Sequence, residues 1–171
     1  MTSEASQDGP RTVELTPQPS VAVRQQQPMT ELNLAELFDT HLPNIADQIV
    51  NLGGQPAGAP YGRYHQFGPD QVDVEIGIPV AAPVANLRPL AECEPGEMGS
   101  SELPGGEAAV VIHRGPYDTL SGAYDRLHDW IHAQGRDEGA GPWESYIDDP
   151  SEVSDPSQLR TEVVWPLGQA Q

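Results

Sequence analysis

An internal repeat narrows the fold of this chain more than any other feature. Gly58-Ala59-Pro60-Tyr61-Gly62-Arg63-Tyr64 lines up with Gly139-Ala140-Gly141-Pro142-Trp143-Glu144-Ser145-Tyr146, with one extra residue before the proline. Tyr61 then matches Trp143, and Tyr64 matches Tyr146. Val74-Glu75-Ile76-Gly77-Ile78-Pro79-Val80 lines up with Thr161-Glu162-Val163-Val164-Trp165-Pro166-Leu167, so Glu75 matches Glu162 and Pro79 matches Pro166. An offset of roughly 80 residues is far longer than a solenoid period, so the repeat marks a duplicated domain half. Each half reads strand, helix, strand, strand. The expectation is an α+β fold: duplicated β-α-β-β halves forming an antiparallel sheet, with two helices on one face. A central groove would run where the halves meet, a favoured place for a pocket.

Residues 1–12 are polar and read as a disordered tail. One domain follows over 13–168, with a first half at 13–81, a linker at 82–106 and a second half at 107–168. In the first half, two short strands flank Pro17-Gln18-Pro19. Asn33 with Glu36 three residues on resembles a capping box. Leu34, Phe38, Leu42, Ile45, Ile49 and Leu52 recur at helical spacing. Pro43 either kinks this helix or sits near the start of a main helix that a short turn precedes. Tyr61 to Phe67 reads as a strand, and Val72 to Val80 alternates apolar and polar like its hairpin partner. The segment 82–106 is rich in Pro, Gly and Glu and lacks a period, which predicts a linker or long loop. In the second half, Glu107 to His113 is a strand. Asp118 or Thr119 caps a helix carrying Leu120, Tyr124, Leu127 and Ile131, stopped by Gly135. Trp143–Ile147 and Arg160–Leu167 are the last strands, with an acidic turn between them.

Net charge excludes several partners. The 171 residues carry 26 acidic and 8 basic side chains, a net charge of -18, and every basic residue is Arg. Such a chain repels phosphate backbones and anionic membranes and attracts cations. Cys93 is the single cysteine, so no internal disulfide forms, and its neighbours Glu92, Glu94 and Glu97 oppose a reactive thiolate. The N-terminus lacks the basic and apolar regions of a signal peptide, and no apolar run reaches membrane-spanning length. The expected location is the cytoplasm.

Chemistry concentrates at Trp143-Glu144-Ser145-Tyr146-Ile147, a short strand between Gly-Pro and Asp-Pro turn signals. Strand alternation puts Glu144 and Tyr146 on one face and Trp143, Ser145 and Ile147 on the other. The repeat breaks here, because Gly62 of the first half is Glu144 of the second. A carboxylate from one half alone makes a lopsided groove, as a ligand site should be. Aromatic side chains line a groove or fill a core; Tyr146 and Trp165 rank first as ligand contacts, followed by Trp143, Tyr64 and Tyr61, then Phe38, Tyr117 and Tyr124, the last on a helix stripe where packing is the commoner role. His128 and His132 have the spacing of a zinc-protease helix, but Asp129 replaces its glutamate and no third ligand is evident, so neither metal nor cofactor is expected.

The ordered motifs together resemble the GyrI-like family, the AraC-type effector-binding domain. They are His113-Arg114-Gly115-Pro116-Tyr117, the series Tyr124, Leu127 and Trp130, Trp143 through Pro150, and Thr161 through Leu167; the first half adds Gly62 through His65 and Val72 through Val80. The resemblance spans about 13 to 168. It implies duplicated β-α-β-β halves around a ligand groove, and a groove glutamate in a Glu-x-Tyr strand that contacts the ligand or performs the chemistry; here that residue is Glu144. Family members include drug-sensing domains of regulators, multidrug binders, gyrase-inhibitory proteins and hydrolases of cyclopropane-bearing alkylators. Regulators of the family carry a DNA-reading domain, which nothing ahead of Val13 encodes. The expected function is therefore a stand-alone small-molecule-binding domain for bulky, aromatic, cationic ligands. A hydrolase using Glu144 and Tyr146 as catalytic residues, and a protein-binding inhibitor of gyrase type, are the alternatives. Binding and hydrolysis need the same carboxylate, so the sequence leaves enzyme activity open. The expected partner is a lipophilic cation, with no direct contact to nucleic acid or membrane and no protein partner specified.

Overall fold

A computed structural model describes residues 9–168, apart from residues 32, 140, 150 and 151. The fold is α+β, and its described residues divide into two units, one of residues 16–105 and one joining the residues from 106 onward to the segment before residue 16. The N-terminal segment thus belongs with the second half. Its strand β1, Arg11–Leu15, pairs antiparallel with β6, Gly106–Arg114, and not with the strand that follows it. Most of the expected tail, residues 1–8, lies outside the described residues, while Arg11 and Thr12 already belong to β1.

In the unit of residues 16–105, β2 (Gln18–Pro28) leads to helix α1 (Leu34–Asn51), then to β3 (Tyr61–Phe67) and β4 (Gln71–Pro79). The strands form an antiparallel sheet in the order β3-β4-β2-β5. The edge strand β5, Met98–Leu103, corrects the expectation of a loop over 82–106. Its residues show no alternation because Gly99 faces a crowded site, where an added Cβ would lie 2.7 Å from Cys93 Sγ and 2.8 Å from the Arg88 carbonyl. It pairs with β2, and Met98 and Leu103 at its two ends are its apolar contribution to the interior.

Alternation in β4 builds the core directly. Val72, Val74, Ile76 and Ile78 face α1 with Val21 and Val23, and meet Leu37, Ile45 and Ile49. Helix α1 runs unbroken through Pro43. The ring removes a backbone donor, but Asn44 Nδ2 donates to the Thr40 carbonyl at 3.1 Å, and Ile45 and Ile49, both fully buried, hold the following turns to the sheet. The cap expected at Asn33 is present: its side chain accepts from the Glu36 amide at 3.1 Å.

The other unit has β6, helix α2 (Leu120–Ala133), β7 (Trp143–Tyr146) and β8 (Arg160–Pro166), in the antiparallel order β1-β6-β8-β7. Leu120, Ala123, Leu127 and Ile131 of α2 pack on Ala109, Val111 and Val163. Thr119 occupies the cap position, yet its hydroxyl turns back to the Pro116 carbonyl (2.8 Å) and His113 Nε2 (3.0 Å) and makes no cap bond to the helix. The side chain of Asp118, the other cap candidate, lies outside the described residues. Gly135, at φ +73°, ends the helix as expected. Among the described residues no helix is long and apolar enough to cross a membrane.

Candidate ligand-binding site

Register decides which side chains meet Glu144. In β7, Glu144 pairs with Val163 and Tyr146 with Thr161. Val163 belongs to the core under α2, so Glu144 and Tyr146 face the helix. Trp143 pairs with Val164 on the opposite face and is 4% exposed. It packs there, on the face away from Glu144.

Glu144 is only 6% exposed. A buried carboxylate is costly unless its lone pairs are filled, and two phenols fill them: Tyr146 Oη donates to Oε1 at 2.8 Å and Tyr124 Oη to Oε2 at 2.7 Å. Tyr124 is the residue that sequence reasoning ranked too low. Its place on the α2 stripe looked like packing, and only the closure of α2 onto β7 brings its hydroxyl to a residue 20 positions away.

The rings continue outward on both sides. Tyr117 meets Tyr146 edge to face at 5.6 Å, and Trp165 meets Tyr124 edge to face at 5.8 Å. The Trp165 indole donates to the Gly139 carbonyl at 3.1 Å. Tyr117, at 39% exposure, is the outermost ring. Burial, with the negative field of Asp149, Asp148 and Glu144, pushes its phenol above the ordinary value. Beside Tyr146, the Thr161 hydroxyl is buried with no hydrogen-bond partner among the described residues, an uncommon state for such a group. A hollow of about 610 Å³, open to solvent, lies elsewhere in this unit, between Ile112–Arg114 and the start of α2.

The remaining expected contacts lie in the other unit. Tyr64 is 8% exposed in the core under α1, and Phe38 packs against that core. Tyr61 is fully buried on the face away from α1. There it donates to Glu75 Oε2 at 2.5 Å and shares a 2.8 Å hydrogen bond with Ser20. Glu75, 2% exposed, also accepts from Ser101 at 2.8 Å and lies 2.9 Å from His65 Nε2. Burial alone would raise its pKa, but the hydrogen bonds of His65, Tyr61 and Ser101 hold it below the usual glutamate value. Sequence reasoning paired Glu75 with Glu162 without singling it out. Glu162 is an acid on the sheet face away from α2, 3.8 Å from Arg11, and burial raises its pKa.

The family model of the GyrI-like small molecule binding domain matches residues 9–167. The chain belongs to this family. Among solved structures, this GyrI-like chain is similar to the C-terminal domain of EcmrR, at 23% identity and a TM-score of 0.75, over 94% of this chain and 98% of that domain. Against EcmrR in its DNA complex the identity and TM-score are the same, and the chain spans 57% of that regulator's length. A hydrolase from Listeria innocua matches at 13% identity and a TM-score of 0.64, over 98% of each chain. SAV2435, solved bound to tetraphenylphosphonium, matches at 12% identity and a TM-score of 0.65, over 93% of each chain. No curated protein matches the sequence. At these identities the likeness is one of fold, and the GyrI-like assignment rests on the family model.

Proposed function

We propose that this GyrI-like domain binds bulky aromatic cations at Glu144. The observation that carries the reading is a carboxylate 6% exposed, held by Tyr124 and Tyr146 inside a row of rings that runs from Tyr117 to Trp165. A buried anion among ring faces suits a flat or globular lipophilic cation, since each cation–ring contact adds about 0.5–2 kcal/mol to the charge pairing. The acids around Tyr117 give the outer end of the row the same sign. Tetraphenylphosphonium, the compound found in the fold relative SAV2435, is the natural probe. Titration of wild type and Glu144→Gln with this cation, followed by tryptophan fluorescence, should show tight binding that the variant loses. Equal affinity of the two proteins refutes the assignment.

The hydrolytic alternative uses the same carboxylate as a general base toward water, and one fold relative is a hydrolase. Incubation with a cyclopropane-bearing electrophile separates the readings. A hydrated product made by wild type and not by Glu144→Gln would show turnover; unchanged compound supports binding alone.

A further inference from the structure

We propose that His128, His132 and Glu138 form a binding site for a zinc-class divalent cation at the end of α2. The three candidate ligand atoms, one imidazole nitrogen from each histidine and a carboxylate oxygen, all lie within 4.8 Å of one another. His132 Nε2 is 3.0 Å from Glu138 Oε2, and His128 Nδ1 contacts Glu138 Oε1. The two imidazoles, four residues apart on one helix face, are 4.4 Å apart between ring centres.

Each part of the arrangement has a structural cause. Helical spacing stacks the two histidines on neighbouring turns. Gly135, in the left-handed region, turns the chain back beneath them. The bridge between Glu138 and Leu167 then fixes the glutamate backbone at the end of β8. On the far side, the Trp165 ring lies 6.4 Å from the His128 ring. Two imidazoles and a carboxylate suit zinc, nickel or copper and discriminate against magnesium and calcium, which prefer all-oxygen sites. Tetrahedral zinc with bonds of about 2.1 Å needs donor atoms about 3.4 Å apart. Side-chain rotation supplies that adjustment, because the histidine side chains are 52% and 48% exposed. Solvent would fill the fourth position, as in open three-ligand zinc sites.

The experiment is calorimetric titration of the full, untagged chain with zinc chloride at neutral pH, with magnesium chloride in parallel. One zinc per chain should bind far more tightly than magnesium, and His132→Ala and Glu138→Gln should each weaken zinc at least about tenfold. Glu102→Gln, at an exposed position on β5, should bind zinc like wild type. Cobalt should give a visible absorption spectrum in wild type that both site variants lose. Zinc held no better than magnesium, or held equally by all three variants, would leave only diffuse attraction to an acidic surface and overturn the site. Circular dichroism checks that the variants retain their helices.

Discussion

Replacing Glu144 with glutamine removes the charge and keeps the shape, so it separates electrostatics from packing. In the ligand-free protein both tyrosine contacts can persist, since an amide oxygen accepts from one phenol and an amide nitrogen donates to the other. Two charge-assisted hydrogen bonds become neutral ones, a loss of about 1 kcal/mol each, while the cost of burying a charge is relieved. Stability should therefore change by no more than about 1 kcal/mol in denaturant unfolding. Cation binding should change much more. A charge at about 5 Å from the carboxylate, at an effective dielectric of about 20, gains roughly 3 kcal/mol. Half that gain survives if solvent doubles the dielectric, so the expected weakening for tetraphenylphosphonium is about 10- to 100-fold or slightly more. Calorimetry measures it directly. The neutral triphenylphosphine oxide serves as control and should lose no affinity in the variant. The reasoning is refuted if cation and neutral compound weaken equally, or if the cation binds both proteins alike.

Three further perturbations test the packing within the two units. Tyr124→Phe takes one donor from the buried Glu144 carboxylate and should cost about 1–3 kcal/mol in urea unfolding; an effect below about 0.5 kcal/mol would mean that the contact stabilises nothing. Gly77→Ala would place a Cβ 2.6 Å from Tyr61 Oη and 2.9 Å from the Ala22 Cβ, and Tyr61 is tied to Glu75 and Ser20, so overpacking should cost about 1–3 kcal/mol and lower Tm. Glu75 predicts the acid behaviour of its unit. Its folded pKa lies below the unfolded value, so its contribution is complete above the ordinary glutamate value and is lost as pH falls through the folded one. Between about pH 6 and pH 3, wild type should lose more stability than Glu75→Gln, and parallel losses in the two proteins would contradict the shift.

The legible parts of this chain were those governed by local periodicity. The two-residue alternation of Val72, Val74, Ile76 and Ile78 marked β4 and its core face, because successive strand side chains point to opposite sides. The same rule put Glu144 and Tyr146 together before any contact was known. The spacing of Leu120, Leu127 and Ile131, with Gly135 after them, marked α2 and its end. β5 escaped notice because its glycine and serines carry no apolar period, and its partner β2 is remote in sequence.

Composition and periodicity by themselves determined the α+β class, the two helices, most of the strands, and the acidic residue at the middle of the Trp143–Tyr146 strand. Tertiary structure alone decided that Tyr124 closes over Glu144, that β1 joins β6, and that Glu138 meets His128 and His132. The reason is physical: backbone geometry assigns each side chain to a face within its own element. Which faces then meet depends on how distant segments bury their apolar surface together, and no local pattern carries that information.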